Sequence, residues 1–260
     1  MGGYRLCQTK LAETPYYIEN ISTNIYSLEE LCYYIYHNIF LLDSTIVNEG
    51  LCEWIHDELN LKKLYHALMK ELEEFHSLGD FVLPIFKEIN YLTHQEFKEF
   101  NGQLVRLEHE PPIGREKLKA DYLVENHKYI NGIKVYKSIL SQAKGSRLGG
   151  QFTGEVHYNM GCAYMHMFQY EEALECFKNA YECLPEAHIL KAYLTCCYIT
   201  KPYAHYQKLA EQLKVSDEIQ QAIEDRVQKV RDSIPAQTDM SGIDRFLEKI
   251  RKDYHNSTDH

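Results

Sequence analysis

Cys162 and His166 stand four residues apart, the spacing at which two side chains of one helix meet. A thiol beside an imidazole is how a nucleophile is set against its base, so these two form the one candidate catalytic pair. The plainer alternative is a thiol and a polar histidine sharing a helix face. Glu108, His109 and Glu110 adjoin in "LEHEPP"; neighbours on a helix point in different directions, and a solvated helix end accounts for them. Eight cysteines, at positions 7, 32, 52, 162, 176, 183, 196 and 197, contain no C-x-x-C pair. A structural zinc site draws paired ligands from a tight turn, so reduced, packed thiols are expected, with no metal and no cofactor. "KGSRLGGQFTG" holds four glycines from Gly145 to Gly154, but Gly150 is followed by Gln151 and Phe152 where a phosphate loop needs Lys and Ser or Thr. It reads as a flexible connection. With no H-E-x-x-H or G-x-S-x-G either, catalysis is not expected.

Composition narrows the partners. At 260 residues the chain can hold one large domain or two small ones, and its 45% hydrophobic and 25% charged content is that of a soluble globular protein. The net charge of −10 argues against a duplex nucleic-acid binder, which needs cationic contacts to phosphates, although a local basic patch is compatible with it. Twenty-one tyrosines against one tryptophan can be a habit of filling half-buried helix positions, or a stacking and peptide-gripping surface. Their spread along the whole chain favours the first. "MGGYRLCQTK" has charge but no apolar run behind it, Leu6 stands where myristoylation of Gly2 wants Ser or Thr, and no apolar segment is long enough to span a bilayer. A cytoplasmic protein with no membrane and no nucleic-acid partner is expected.

The elements that position these residues are helical nearly throughout. Ser27 and Glu30 read as a capping box before Leu28, Leu31, Ile35, Ile39 and Leu42 at three- and four-residue steps. A second helix carries Val47, Leu51, Trp54, Ile55 and Glu58; a third places Leu61, Leu64, Leu68, Leu72 and Phe75 on one face. Gly79 suits the end of a helix and Asp80 the cap of the next, which runs to about Tyr91. Thr93 and Glu96 open a helix with Phe97, Phe100, Leu104 and Leu107 on one side, ended by Pro111-Pro112. Ser216 caps a helix carrying Ile219, Ile223, Val227, Val230 and Ile234, stopped by Pro235. Ile243, Phe246, Leu247, Ile250 and Tyr254 form a last apolar stripe before a frayed "HNSTDH". No run shows the period-two alternation of a strand, so the fold class is all-α.

Within "HYNMGCAYMHMFQYEEALECFKNAYECLP", Gly161, Tyr164, Ala173, Phe177, Ala180 and Pro185 fall at intervals set by two helices and a tight turn. The pattern resembles the tetratricopeptide repeat, with His157 in place of its Trp and Met160 in place of its Leu. Small residues at Gly161 and Ala173 let the paired helices press together; Tyr164, Phe177 and Ala180 fill the wedge between neighbouring pairs. One pair cannot bury its own apolar face, so a second copy is required. It falls in "KADYLVENHKYINGIKVYKSIL", where Ala120, Leu123, Tyr129, Gly132, Tyr136 and Ile139 match Gly161, Tyr164, Tyr170, Ala173, Phe177 and Ala180. The 41-residue offset exceeds the usual repeat of about 34 because of the glycine-rich loop. "EAHILKAYLTCCYITKPYAHYQKLAEQL" reads as a third, degenerate pair, with Pro202 opening its second helix. The chain thus divides into an N-terminal helical region (1–111), the repeats (112–215) and C-terminal capping helices (216–260). The first of these is loosely similar to uncharacterised proteins of clostridia-like bacteria.

The resemblance implies a helical-hairpin solenoid whose concave groove holds a peptide or a partner helix. Carried over place by place, the groove residues are Lys117, Asp121, Val124 and Glu125 in the first copy, and Glu155, Tyr158, Asn159, Cys162, Met165 and His166 in the second. An asparagine at the place of Asn159 often bonds peptide backbone or a terminal carboxylate in that family; a surface amide held by water is the alternative. Leu118 stands where a second asparagine would complete a carboxylate clamp, and the nearby acids suit a mixed or basic ligand better. The expected role is a bacterial adaptor or scaffold with a protein or peptide partner. Pairing of the C-terminal helices into a homo-oligomer is the alternative to their capping the solenoid.

Overall fold

Side chains of Ser27, Asn48, Ser77 and Thr93 cap the starts of four helices in the computed structural model, which describes residues 9–74, 76–143, 149–233 and 243–258. Among these residues there are 13 α-helices and one two-stranded sheet, so the class is all-α. Ser27 caps α1 (Leu28–His37) by accepting from the Glu30 N–H, while the Glu30 carboxylate accepts from the Tyr26 N–H. Asn38 then competes for the helix: its backbone and side-chain N–H groups both donate to the Tyr34 carbonyl, and Ile39–Leu41 continue as a 3₁₀ turn rather than as α1. Asn48 caps α2 (Glu49–Asp57), and α3 (Lys62–Glu73) follows. Phe75, expected on the face of α3, lies outside the described residues. The cap of α4 (Leu78–Glu88) is Ser77, not Asp80, because its hydroxyl accepts from the Asp80 N–H; Gly79 sits within the first turn instead of ending a helix. Thr93 and Glu96 form the predicted box at the start of α5 (His94–His109).

The sequence reading missed one element. Tyr16–Ile18 (β1) and Thr23–Ile25 (β2) pair antiparallel, with Tyr16 opposite Ile25 and Ile18 opposite Thr23. Strands of three residues are too short to show alternation, yet Ile18 and Ile25 are buried and Tyr17 is exposed, as a one-sided hairpin requires. The hairpin belongs to one continuous core that runs from Ala12 through α1–α5 to Leu123.

The chain divides into two compact units, Met1–Cys176 and Phe177–His260, with the division inside α9 (Tyr170–Cys183). The first unit ends with α6 (Pro112–Glu125), α7 (Tyr129–Ala143), α8 (Gly150–His166) and the start of α9. The glycine-rich connection at 144–148 and the earlier Gly2, Leu6 and Cys7 lie outside the described residues. In the second unit α10 (Ala187–Thr200) packs against α11 (Tyr203–Gln212) and α12 (Asp217–Ser233). Pro202 opens α11 as predicted, and Tyr198, Tyr203 and Tyr206 cluster around the turn, with Arg231 over the Tyr198 ring. Ile234 and Pro235 are not among the described residues. The last helix, α13 (Ile243–Thr258), continues through Asn256–Thr258, where fraying was expected.

The two predicted repeat copies turn alike. Between α6 and α7, His127 adopts φ 60°, Lys128 N–H donates to Leu123 O and Gly132 N–H to Lys128 O. Between α8 and α9, Phe168 adopts φ 59°, Gln169 N–H donates to Tyr164 O and Ala173 N–H to Gln169 O. Every partner is displaced by the same 41 residues. The i to i−5 bond with a left-handed residue before it is a Schellman ending, here without glycine. Ala120, Leu123, Tyr136 and Ile139 are buried, and so are their counterparts Gly161, Tyr164, Phe177 and Ala180. At Gly132 an added Cβ would lie 2.6 Å from Val124 Cγ2 and 3.2 Å from Ala120 O, so α6 and α7 meet where only glycine fits. The turn between α10 and α11 lacks a left-handed residue, which sets that third pair apart.

Candidate functional site

Lys117 and Asp121 are one turn apart on α6, and Glu155 and Asn159 one turn apart on α8, so both pairs project from neighbouring helices on one side. The structure joins all four. Lys117 Nζ reaches Asp121 Oδ2 at 2.9 Å and Glu155 Oε2 at 3.5 Å. Asn159 Nδ2 donates to Asp121 Oδ1 at 2.8 Å, and Tyr136 from α7 donates its hydroxyl to the same oxygen at 2.5 Å. Asp121 is therefore the hub of a network drawn from three helices. Burial pushes the Tyr136 phenol far up, and the bond to Asp121 pushes it the same way, so Tyr136 stays a donor. The side chains of Lys117 and Asp121 are 18% and 23% exposed, which leaves an edge of the network open to solvent.

Asn159, picked out for contact with a peptide, thus spends one amide N–H inside the protein. Tyr136 is the member the sequence reading missed. The pattern gives it only the wedge-filling place that Phe177 holds in the other copy, and the hydroxyl that distinguishes Tyr from Phe is the available signal. The other predicted residues disperse. Val124 leans on Gly132 between α6 and α7, whereas Glu125 is exposed at the end of α6. Tyr158 and Cys162 hydrogen-bond to each other, one turn apart. Met165 is half-buried. His166 stacks flat on Tyr129, ring centroids 5.0 Å apart at 5°.

This geometry bears on the catalytic alternative. Burial raises the Cys162 thiol pKa, the opposite of what an activated nucleophile needs, and its neighbour is a phenol rather than His166. His157 is held below its ordinary value by burial, with Nδ1 unpartnered among the described residues. No group of three or more His, Cys, Asp or Glu residues is placed to hold a metal ion, among the described residues.

Residues 154–187 match the tetratricopeptide repeat. That span takes in α8 from Gly154, the turn at Phe168 and all of α9, where the signature residues stand. The copy at α6–α7 lies outside the matched residues, although its turn repeats the same bonds. A comparison with curated proteins finds no match. Among solved structures, the chain is similar to the crystal structure of Bacillus thuringiensis PlcR in complex with the peptide PapR7 and DNA. The identity is 14% and the TM-score 0.36, over 80% of this chain and 75% of that one. At that score the likeness carries no argument. None of these comparisons shows the clostridial likeness of the first hundred residues. Among the described residues, no helix is long and apolar enough to cross a membrane.

Proposed function

We propose that this protein is an interaction adaptor that binds a peptide or a partner helix along the side of α6 and α8 bearing Lys117, Asp121, Glu155 and Asn159. The observation that supports it is the network itself. Four polar side chains on two adjacent helices are held in place by one another and by Tyr136, with an edge open to solvent. Groups fixed before binding lose little entropy when a ligand arrives. The Asn159 amide oxygen is left to accept from a peptide N–H, and Tyr158 and Met165 offer half-buried apolar surface beside it. With Asp121, Glu125 and Glu155 against Lys117, the charge favours a basic or mixed peptide. The same excess of acid, −10 over the chain, is the argument against duplex nucleic acid. In this reading residues 112–215 bind, 1–111 support the first copy, and 216–260 close the array.

The test is affinity capture from the source cell's lysate by wild type and by a Tyr158→Ala, Asn159→Ala double variant, with circular dichroism showing equal helicity. A partner kept by wild type and lost by the variant supports the reading. A partner held equally by both moves the interaction off this side.

A second reading rests on α13. Phe246, Leu247 and Ile250 are 50%, 57% and 49% exposed, at the spacing of one apolar stripe. A stripe that caps a solenoid is covered, whereas one that pairs helices between subunits is open in the isolated chain. Light scattering across a concentration series separates the two: a mass that doubles, and reverts in Leu247→Lys, gives self-association.

A further inference from the structure

We infer that a cavity between the N-terminal helices and α6–α7 binds a small amphiphile with an anionic head group, a carboxylate or a phosphate. The cavity measures about 840 Å³, within the range of roughly 300–1,000 Å³ that holds small-molecule ligands. Its apolar wall converges from separate elements: Val47 after the 3₁₀ turn, Leu72 of α3, Leu78 of α4, Leu107 of α5 and Val135 of α7. Leu78 and Leu107 are buried and form the floor, while Arg115 and Lys134 are exposed at the mouth.

The charges at that mouth are unequal in what they have left to give. Asp43 is already paired with Lys119 and accepts from Thr45. Although burial would raise its carboxyl, these partners hold it below the ordinary carboxylate range. Glu108 accepts from the Leu78 N–H, and Glu116 from Gln142. The side chains of Arg115 and Lys134 have no hydrogen-bond or ion-pair partner among the described residues. An apolar pocket that ends in two uncommitted cations is complementary to an apolar tail with an anionic head, and the guanidinium suits a carboxylate or phosphate in two-point contact. At 100° per residue, Arg115 and Lys119 project from the side of α6 opposite Lys117 and Asp121, so this site is independent of the proposed peptide-binding side.

The test is calorimetric titration of the full chain with decanoate, decyl phosphate, decanol and decylammonium, each below its micelle concentration. The two anions are expected to bind at least tenfold more tightly than decanol or decylammonium. An Arg115→Gln, Lys134→Gln double variant, equally helical by circular dichroism, is expected to lose that tenfold for the anions and to bind decanol unchanged. The tighter of the two anions identifies a carboxylate or a phosphate as the head. Equal binding of all four probes, wild-type affinity in the double variant, or no binding at all would overturn the inference. Val135→Trp tests the location: decanoate affinity kept in a folded Val135→Trp protein places the ligand elsewhere and overturns it as well.

Discussion

The α6–α7 and α8–α9 hairpins close through the same turn, with each hydrogen bond moved by 41 residues, yet only the second lies within the residues that match the tetratricopeptide repeat. The difference lies in what the first hairpin must hold. Lys119 pairs with Asp43, Tyr122 donates to His37 O at 2.7 Å, and Asn131 donates to Asn20 O at 3.1 Å. Leu118 packs against the N-terminal core, where the second copy has Asn159. In the second copy the places of Lys119 and Tyr122 are taken by Met160 and Ala163, both buried. In the first hairpin these positions carry contacts to the N-terminal helices of the same compact unit. What the two hairpins share is the part the turn and the helix contact demand: in the first, Ala120, Leu123, Gly132 and the left-handed residue at 127. The same turn geometry thus occurs in a hairpin whose sequence lies outside the matched residues.

That comparison can be broken most forcefully at Gly132. Replacing it with Val puts a branched side chain where Val124 and the Ala120 carbonyl already stand, and should cost about 3 kcal/mol, the upper end of overpacking penalties. Urea unfolding measures it, and a Val124→Ala background should recover part of the loss through coupling between touching residues. If the two effects simply add, the close helix approach is not what keeps glycine there. A smaller effect is expected at Asp121, where Ala would strand the Tyr136 hydroxyl, the Asn159 amide and the Lys117 amine together. The loss should be about 2 kcal/mol, because the network is partly open to water. Chemical denaturation of Asp121→Ala beside Tyr136→Phe measures it; equal losses would mean that Tyr136 is the only partner of consequence. The smallest effect has the opposite sign. Phe168 and His127 are non-glycine residues near φ 60°, so Phe168→Gly and His127→Gly should each stabilise by about 1 kcal/mol. Closely matched gains in thermal melts sharpen the claim that the turns are one motif. A gain at one turn only would set them apart.

Much of this was legible in advance, and for local reasons. Ser27 and Thr93 announce helix starts because a hydroxyl next to an amphipathic run has one cheap partner, the free N–H groups of the first turn. Asp80 misled because Ser77, three residues earlier, competes for the same role and takes it. The β-hairpin was illegible because three-residue strands carry no period; it exists through the burial of Ile18 and Ile25 under α1–α5 and the anchoring of Tyr16 and Asn20 to the segment around Thr45. The groove list was legible as positions on a pattern, but a pattern cannot say which way hydrogen bonds run. Asn159 was read as facing a ligand, and part of its amide faces Asp121 instead.

Periodicity, capping residues and the spacing of small residues by themselves determined that this chain is helical, where most helices begin, and that two hairpins share one design. These signals act over a single turn of helix, so the order of residues is enough to express them. Only the tertiary structure decided that Asp121 gathers Lys117, Tyr136 and Asn159, and that Leu72, Leu107 and Val135 enclose one cavity near Arg115 and Lys134. Those groups come from helices far apart in the chain, and which side chains meet is settled by how the helices pack.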